Sequence, residues 1–107
     1  MTSAIMFKDK DVWGSNGVME DILAKLIKHS PEGSRLLSWS IQHYRSFYPG
    51  AVCDLGEAVE NEQEILEWKK TIRSALDQVR SERMLTDRGE KWLSENRELL
   101  IGITDQC

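Results

Sequence analysis

Two cysteines and two prolines in 107 residues set aside several architectures at once. Cys53 and Cys107 stand in no metal-ligand spacing and could form at most one bridge, so both are expected as reduced thiols rather than as a scaffold. Histidine is as scarce. His29 and His43 have no cysteine or carboxylate at ligand spacing on the same helix face, and neither a metal nor another cofactor is expected. The seven glycines never fall into a phosphate-binding loop pattern, which leaves nucleotide hydrolysis without its loop. No apolar run approaches the ~18 residues of a membrane span, and MTSAIMFKDKDVW lacks a basic segment followed by an apolar one. A cytoplasmic protein with no membrane partner is the expectation.

What is present is globular in character: 40% of residues are apolar and 30% charged, and the length suits one domain, 1–107. The net charge of -4 is unevenly placed. Residues 1–53 carry six Lys/Arg against five Asp/Glu, and residues 54–107 carry eight against thirteen. Between Arg45 and Lys69 there is no basic residue, yet Asp54, Glu57, Glu60, Glu62, Glu64 and Glu67 occupy fourteen consecutive positions.

The periodicity reads as helix almost throughout. In Asn61–Arg83 the residues Ile65, Trp68, Ile72, Ala75, Leu76 and Val79 share one stripe at a helical turn of about 100° per residue, and Asn61 with Glu64 makes a capping box. This helix is expected to organise the core. Upstream, Ser15-Asn16-Gly17 offers caps for a helix whose Val18, Met19, Ile22, Leu23, Leu26 and Ile27 cover a wide arc, which calls for more than one packing neighbour. Ser30-Pro31 reads as the start of a further helix that Pro49-Gly50 stops. Asp87 with Glu90 suggests a last capping box, ahead of Trp92, Leu93, Leu99, Leu100 and Ile103. The fold class expected is therefore all-α: a compact bundle of four main helices over residues 16–29, 31–48, 62–83 and 87–101. A short helix is favoured over a loop at 51–60. Residues 1–14 are expected as an irregular arm laying Ile5, Met6, Phe7 and Trp13 over the core, because a strand there would lack a partner.

Candidate functional residues follow from charge and aromatic placement. An acid and base pair for catalysis needs a pocket with shifted groups, and no nucleophile, base and orienting group can be named together, so an enzyme is not expected. Acids near a helix start also suit its dipole, which gives Glu62 and Glu64 a local cause that Asp54 and Glu57 lack. Trp39 falls off its helix's apolar arc, either as a second packing contact or as an exposed anchor. The reading is a small acidic, non-enzymatic binding module. It docks another protein, basic in character, through Asp54, Glu57, Glu60, Glu64 and Glu67, with Trp39 or Tyr48 as apolar anchor. An immunity protein or antitoxin held against a basic nuclease-like toxin is its most concrete form. A second reading is a homodimer burying the helix faces around Trp39 and Leu66.

The stretch RSERMLTDRGEKWLSENRELL is similar, over about a fifth of the chain, to the passage from wing to last helix in winged-helix regulators of the MarR and PadR kind. In those proteins a Leu-Thr-x-x-Gly step starts a helix. That resemblance implies a DNA-binding regulator. It departs in the residues before it, which form a charged helix rather than wing strands, and in Arg80, Arg83 and Arg88, which are offset by Asp77, Glu82, Asp87 and Glu90. Nucleic acid is accordingly the least favoured of these partners.

Overall fold

The computed structural model describes residues 2–82 and 86–105. Along them run β1 (Thr2–Phe7), β2 (Lys10–Ser15), α1 (Asn16–His29), α2 (Arg35–Arg45), β3 (Val52–Asp54), a 3-10 turn (Leu55–Glu57), α3 (Glu62–Glu82) and α4 (Asp87–Ile101). The all-α expectation is overturned. The chain is α+β, with four helices and a three-stranded sheet in the order β2-β1-β3. β1 runs antiparallel to β2, pairing Thr2 with Ser15 through to Phe7 with Lys10, and parallel to β3, pairing Ala4 with Val52 and Met6 with Asp54.

The arm expected to be irregular is thus a hairpin, and the short helix expected at 51–60 is strand and 3-10 turn. β1 hid itself because it is the central strand. Ala4 and Ile5 point to opposite faces, yet each is 1% exposed, so the apolar alternation that marks a half-buried strand is erased. The hairpin connection, Lys8-Asp9, carries none of the glycine or Asn-Gly signals of tight turns. Lys8 itself takes φ 56°.

The helix ends follow local chemistry with some changes of residue. Ser15 caps α1 by accepting from the Val18 amide. Ser30, expected to open the next helix, instead closes α1, its amide and hydroxyl both donating to the Leu26 carbonyl. Residues 31–33 form a turn in which the Ser34 amide donates to the Pro31 carbonyl at 3.1 Å and Gly33 takes φ 78°. Ser34 then caps α2 by accepting from Leu37, so the helix starts at 35 rather than 31. It ends at Arg45, and Tyr48 to Ala51 make a turn with Pro49 and Gly50 at its centre, Gly50 at φ 87°, where a turn of that type needs them. Thr86, not Asp87, caps α4, accepting from the Gly89 amide at 3.2 Å. For α3, Asn61 accepts from the Glu64 amide as expected, while the Glu64 carboxylate accepts from Glu60 rather than Asn61.

Of the stripe read on α3, Trp68, Ile72, Ala75, Leu76 and Val79 are buried, together with Thr71, while Ile65 is only partly buried against the core. The helix packs on α1 and α4, and α1 in turn touches α2, β1 and β2, which accounts for its wide arc. The Trp68 indole donates to the Leu100 carbonyl at 3.0 Å, tying the end of α4 to α3. Truncating a ring so enclosed costs about 3–5 kcal/mol. Leu99, expected in the apolar arc of α4, is exposed, and Leu93, Leu100 and Ile101 form that helix's buried face. Asn96 bonds within its own helix, its side-chain amide donating to the Trp92 carbonyl. Arg83, the last residue of the helix expected over 62–83, and Cys107 lie outside the described residues.

Candidate protein-binding surface

The acidic segment is drawn up against α2. Asp54 ends β3, and its carboxylate accepts from the Gly56 amide at 2.9 Å, capping the 3-10 turn. Glu57 meets His43 Nε2 at 3.0 Å, and Glu60 lies 3.4 Å from Arg35. Arg35 also forks onto Glu64, its Nε donating at 2.6 Å. That guanidinium, with the Glu60 amide, holds the Glu64 carboxyl down at about 2. Glu67 is set apart from this group, beside a hollow of about 420 Å³ shared with His29, Pro31, Leu66 and Lys70.

The fold therefore brings Glu57, Glu60 and Glu64 together along α2, with Asp54 at one end and Glu67 at the other. Arg35 and His43 offset at most two of the six charges between residues 54 and 67. The aromatic candidates separate. Trp39 is 4% exposed, its indole donating to the Asp54 carbonyl at 2.8 Å and its ring stacked at a tilt on His43. It holds the acidic segment in place from beneath and offers no surface to a partner. Tyr48 is 61% exposed in the turn that feeds β3.

Chemistry of other kinds has little to work with among the described residues. No group of three or more His, Cys, Asp or Glu is placed to hold a metal ion. The Cys53 thiol is buried, and burial foremost, with Glu57 second, pushes it up to about 11, so at neutral pH it is not a thiolate. No helix of the described residues is long and apolar enough to cross a membrane.

One surface escaped the sequence reading altogether. The helices lie against the face of the sheet that carries Ile5, Val12 and Cys53. On the opposite face the pairing sets two rows side by side: Trp13, Ala4 and Val52, then Asp11, Met6 and Asp54. Trp13 is 46% and Val52 44% exposed, flanking the covered Ala4. Trp13, expected over the core, instead points away from it. In Asp11-Val12-Trp13-Gly14 only the burial alternates; two large apolar residues stand side by side, so the sequence carried no period-two signal.

The sheet's edges, by contrast, are closed. The Trp92 indole donates to the Trp13 carbonyl on β2 at 2.7 Å, as Trp39 does to Asp54 on β3. Each edge strand thus gives a carbonyl to a tryptophan N–H, which blunts its ability to template another strand. Trp92 reaches its position because Gly14 lacks a side chain: a Cβ there would lie 2.5 Å from the indole Cζ2.

Compared with models of protein families, with curated proteins and with solved structures, the chain matches none.

Proposed function

We propose that this chain is a non-enzymatic binding module that docks a basic protein partner through the acidic segment 54–67. Its most concrete form is an immunity protein or antitoxin acting in the cytoplasm on a nuclease-like toxin. The supporting observation is that Glu57, Glu60 and Glu64 are arrayed along α2, where among the described residues Arg35 and His43 are their ion-pair partners, so the six carboxylates between residues 54 and 67 outnumber the partners facing them. The pairs also hold the carboxylates in fixed positions, which lowers the ordering cost of binding. A basic cleft meeting such a surface gains mainly in encounter rate and selectivity.

The structure refines which residues to change. Glu64 anchors α2 to α3, so neutralising it disturbs the fold as well as the surface. The informative variant is Glu57→Gln, Glu60→Gln and Glu67→Gln together, with Glu64 kept. A partner captured from the native cell's lysate should be basic, should bind the wild type more tightly at low salt than at moderate salt, and should lose nuclease activity when the chain is added. Unchanged affinity and unchanged salt dependence in the triple variant would sink the proposal.

The homodimer reading keeps one observation, since Leu66 is 63% exposed beside its hollow, whereas Trp39 itself is buried. A sedimentation coefficient that does not move with concentration rules out that dimer.

A further inference from the structure

We infer that the open face of the sheet docks a Lys/Arg-bearing amphipathic segment of a protein partner, with Trp13 and Val52 as apolar anchors and Asp11 and Asp54 as charged ones. This rests on the proposed function and names a second surface for the same kind of partner. The four tryptophans carry the first step. Trp39, Trp68 and Trp92 each donate the indole N–H to a main-chain carbonyl. Trp13 alone has no such bond among the described residues, and it alone is exposed by nearly half. A solvent-facing tryptophan beside a valine, on rigid paired strands, has the character of a binding hot spot.

Charge then selects the occupant. The apolar row Trp13–Ala4–Val52 lies next to the row Asp11–Met6–Asp54, and the remaining pair on that face, Thr2 and Ser15, is neutral. Among the described residues, no strand position on this face is a Lys or Arg. Lys10, at the end of β2, is turned to the Asp105 carbonyl. A second copy laid face to face would set carboxylate against carboxylate, whereas a basic amphipathic segment satisfies both rows. Docking occurs through side chains across the strands rather than by strand addition, because indoles occupy carbonyls on both edges. Asp54 joins this face to the acidic segment, so one partner can span the two.

The test is amide and indole NMR of the ¹⁵N-labelled chain, titrated with three short synthetic peptides: Lys alternating with Val, Glu alternating with Val, and Lys alternating with Ser. The Lys/Val peptide is expected to shift Ala4, Met6, Trp13, Val52 and the Trp13 indole saturably, and the Glu/Val peptide to leave them still. Trp13→Thr should weaken this binding about tenfold or more. Threonine suits a strand, and the carbonyl that Trp92 holds is main chain, so the fold survives. Asp11→Asn with Asp54→Asn should weaken binding and flatten its salt dependence, since Asn keeps the acceptor that Gly56 uses. If both Lys peptides shift residues 57–67 while the sheet residues stay still, this inference falls and the acidic-segment proposal stands. Equal response to Lys/Val and Glu/Val peptides overturns the charge selection. Shifts of the same sheet residues on concentrating the chain alone would make a second copy the occupant and overturn it too. Silence from all three peptides at low salt would overturn this inference, while the acidic-segment proposal stands or falls by its own triple variant.

Discussion

Gly14→Ala should destabilise the fold, although Gly14 sits in a strand at an ordinary φ where alanine carries no conformational penalty. On backbone grounds alone the substitution ought to stabilise by about 0.4–1 kcal/mol, by restricting the unfolded chain. The structure reverses the sign. The new methyl would stand 2.5 Å from Trp92 Cζ2, 2.9 Å from Cε2 and 3.0 Å from Met19 Sδ, where carbon contacts settle at about 3.5–4.0 Å. The indole must withdraw by about 1 Å, which carries its N–H out of range of the Trp13 carbonyl, now 2.7 Å away. Overpacking of this kind costs about 1–3 kcal/mol, and the lost hydrogen bond about 0.5–1.5 kcal/mol. Net of the backbone gain, about 2 kcal/mol remains. Urea unfolding followed by tryptophan fluorescence should show the midpoint falling by roughly 1.5 M, for an m-value of about 1–1.5 kcal/mol/M. In a Trp92→Leu background the same Gly14→Ala change should be neutral or stabilising, because the clashing ring is gone. Equal cost in both backgrounds, or a stabilised single variant, would show that α4 does not dock on β2 in this way.

Acid should loosen the junction of α2 and α3. Because the Glu64 carboxyl is held at about 2 when folded, against an ordinary 4.5, its contribution is full above about 4.5 and is lost as pH falls toward 2. Glu64→Gln should lower stability at pH 7 and flatten the pH dependence in that window, as read by thermal unfolding at pH 7, 4 and 3; parallel curves for the two chains would contradict it. Trp39→Phe should cost about 1–2 kcal/mol by leaving the Asp54 carbonyl without its donor, yet leave salt-dependent partner binding at wild-type strength once folded. A weakened partner in folded Trp39→Phe would return Trp39 to the interface. In a Cys107→Ser chain the Cys53 thiol, buried and pushed up to about 11, should react with an aromatic disulfide reagent only at the rate of unfolding, speeding up with urea. Rapid native-state labelling would show that β3 opens.

The helices were legible because their signals are local. A stripe repeating every three to four residues with a cap at its head is readable without knowing the partner, and α1, α3 and α4 were located within a residue or two. The sheet was not, for the opposite reason. β3 has three residues, and its partner β1 lies some fifty positions earlier, so nothing near Val52 distinguishes a parallel strand from a loop. β1 buries Ala4 on one face and Ile5 on the other, and does not alternate. The reasoning that a strand at residues 1–14 would lack a partner failed because the chain supplies one on each side. The acidic segment was conspicuous in the sequence. Its partners were not, since Arg35 and His43 come from another helix and meet Glu57, Glu60 and Glu64 only after folding.

The tryptophans show what local reading misjudges. Trp39 looked available because it stands off its helix's apolar arc. That direction is where β3 passes, and the ring is needed there to seal an edge. Trp13 looked like core because it is a large apolar residue of the same arm as Ile5, Met6 and Phe7. Once strands replace the arm, neighbours in sequence part to opposite faces, and Val12 goes in as Trp13 goes out. A helix stripe tolerates one misplaced residue, since its neighbours still define the face. A strand inverts every side chain if its state is misread. Asp54 links the two regions: its carbonyl holds Trp39 inside, and its place in the register puts it on the sheet face where Trp13 is exposed.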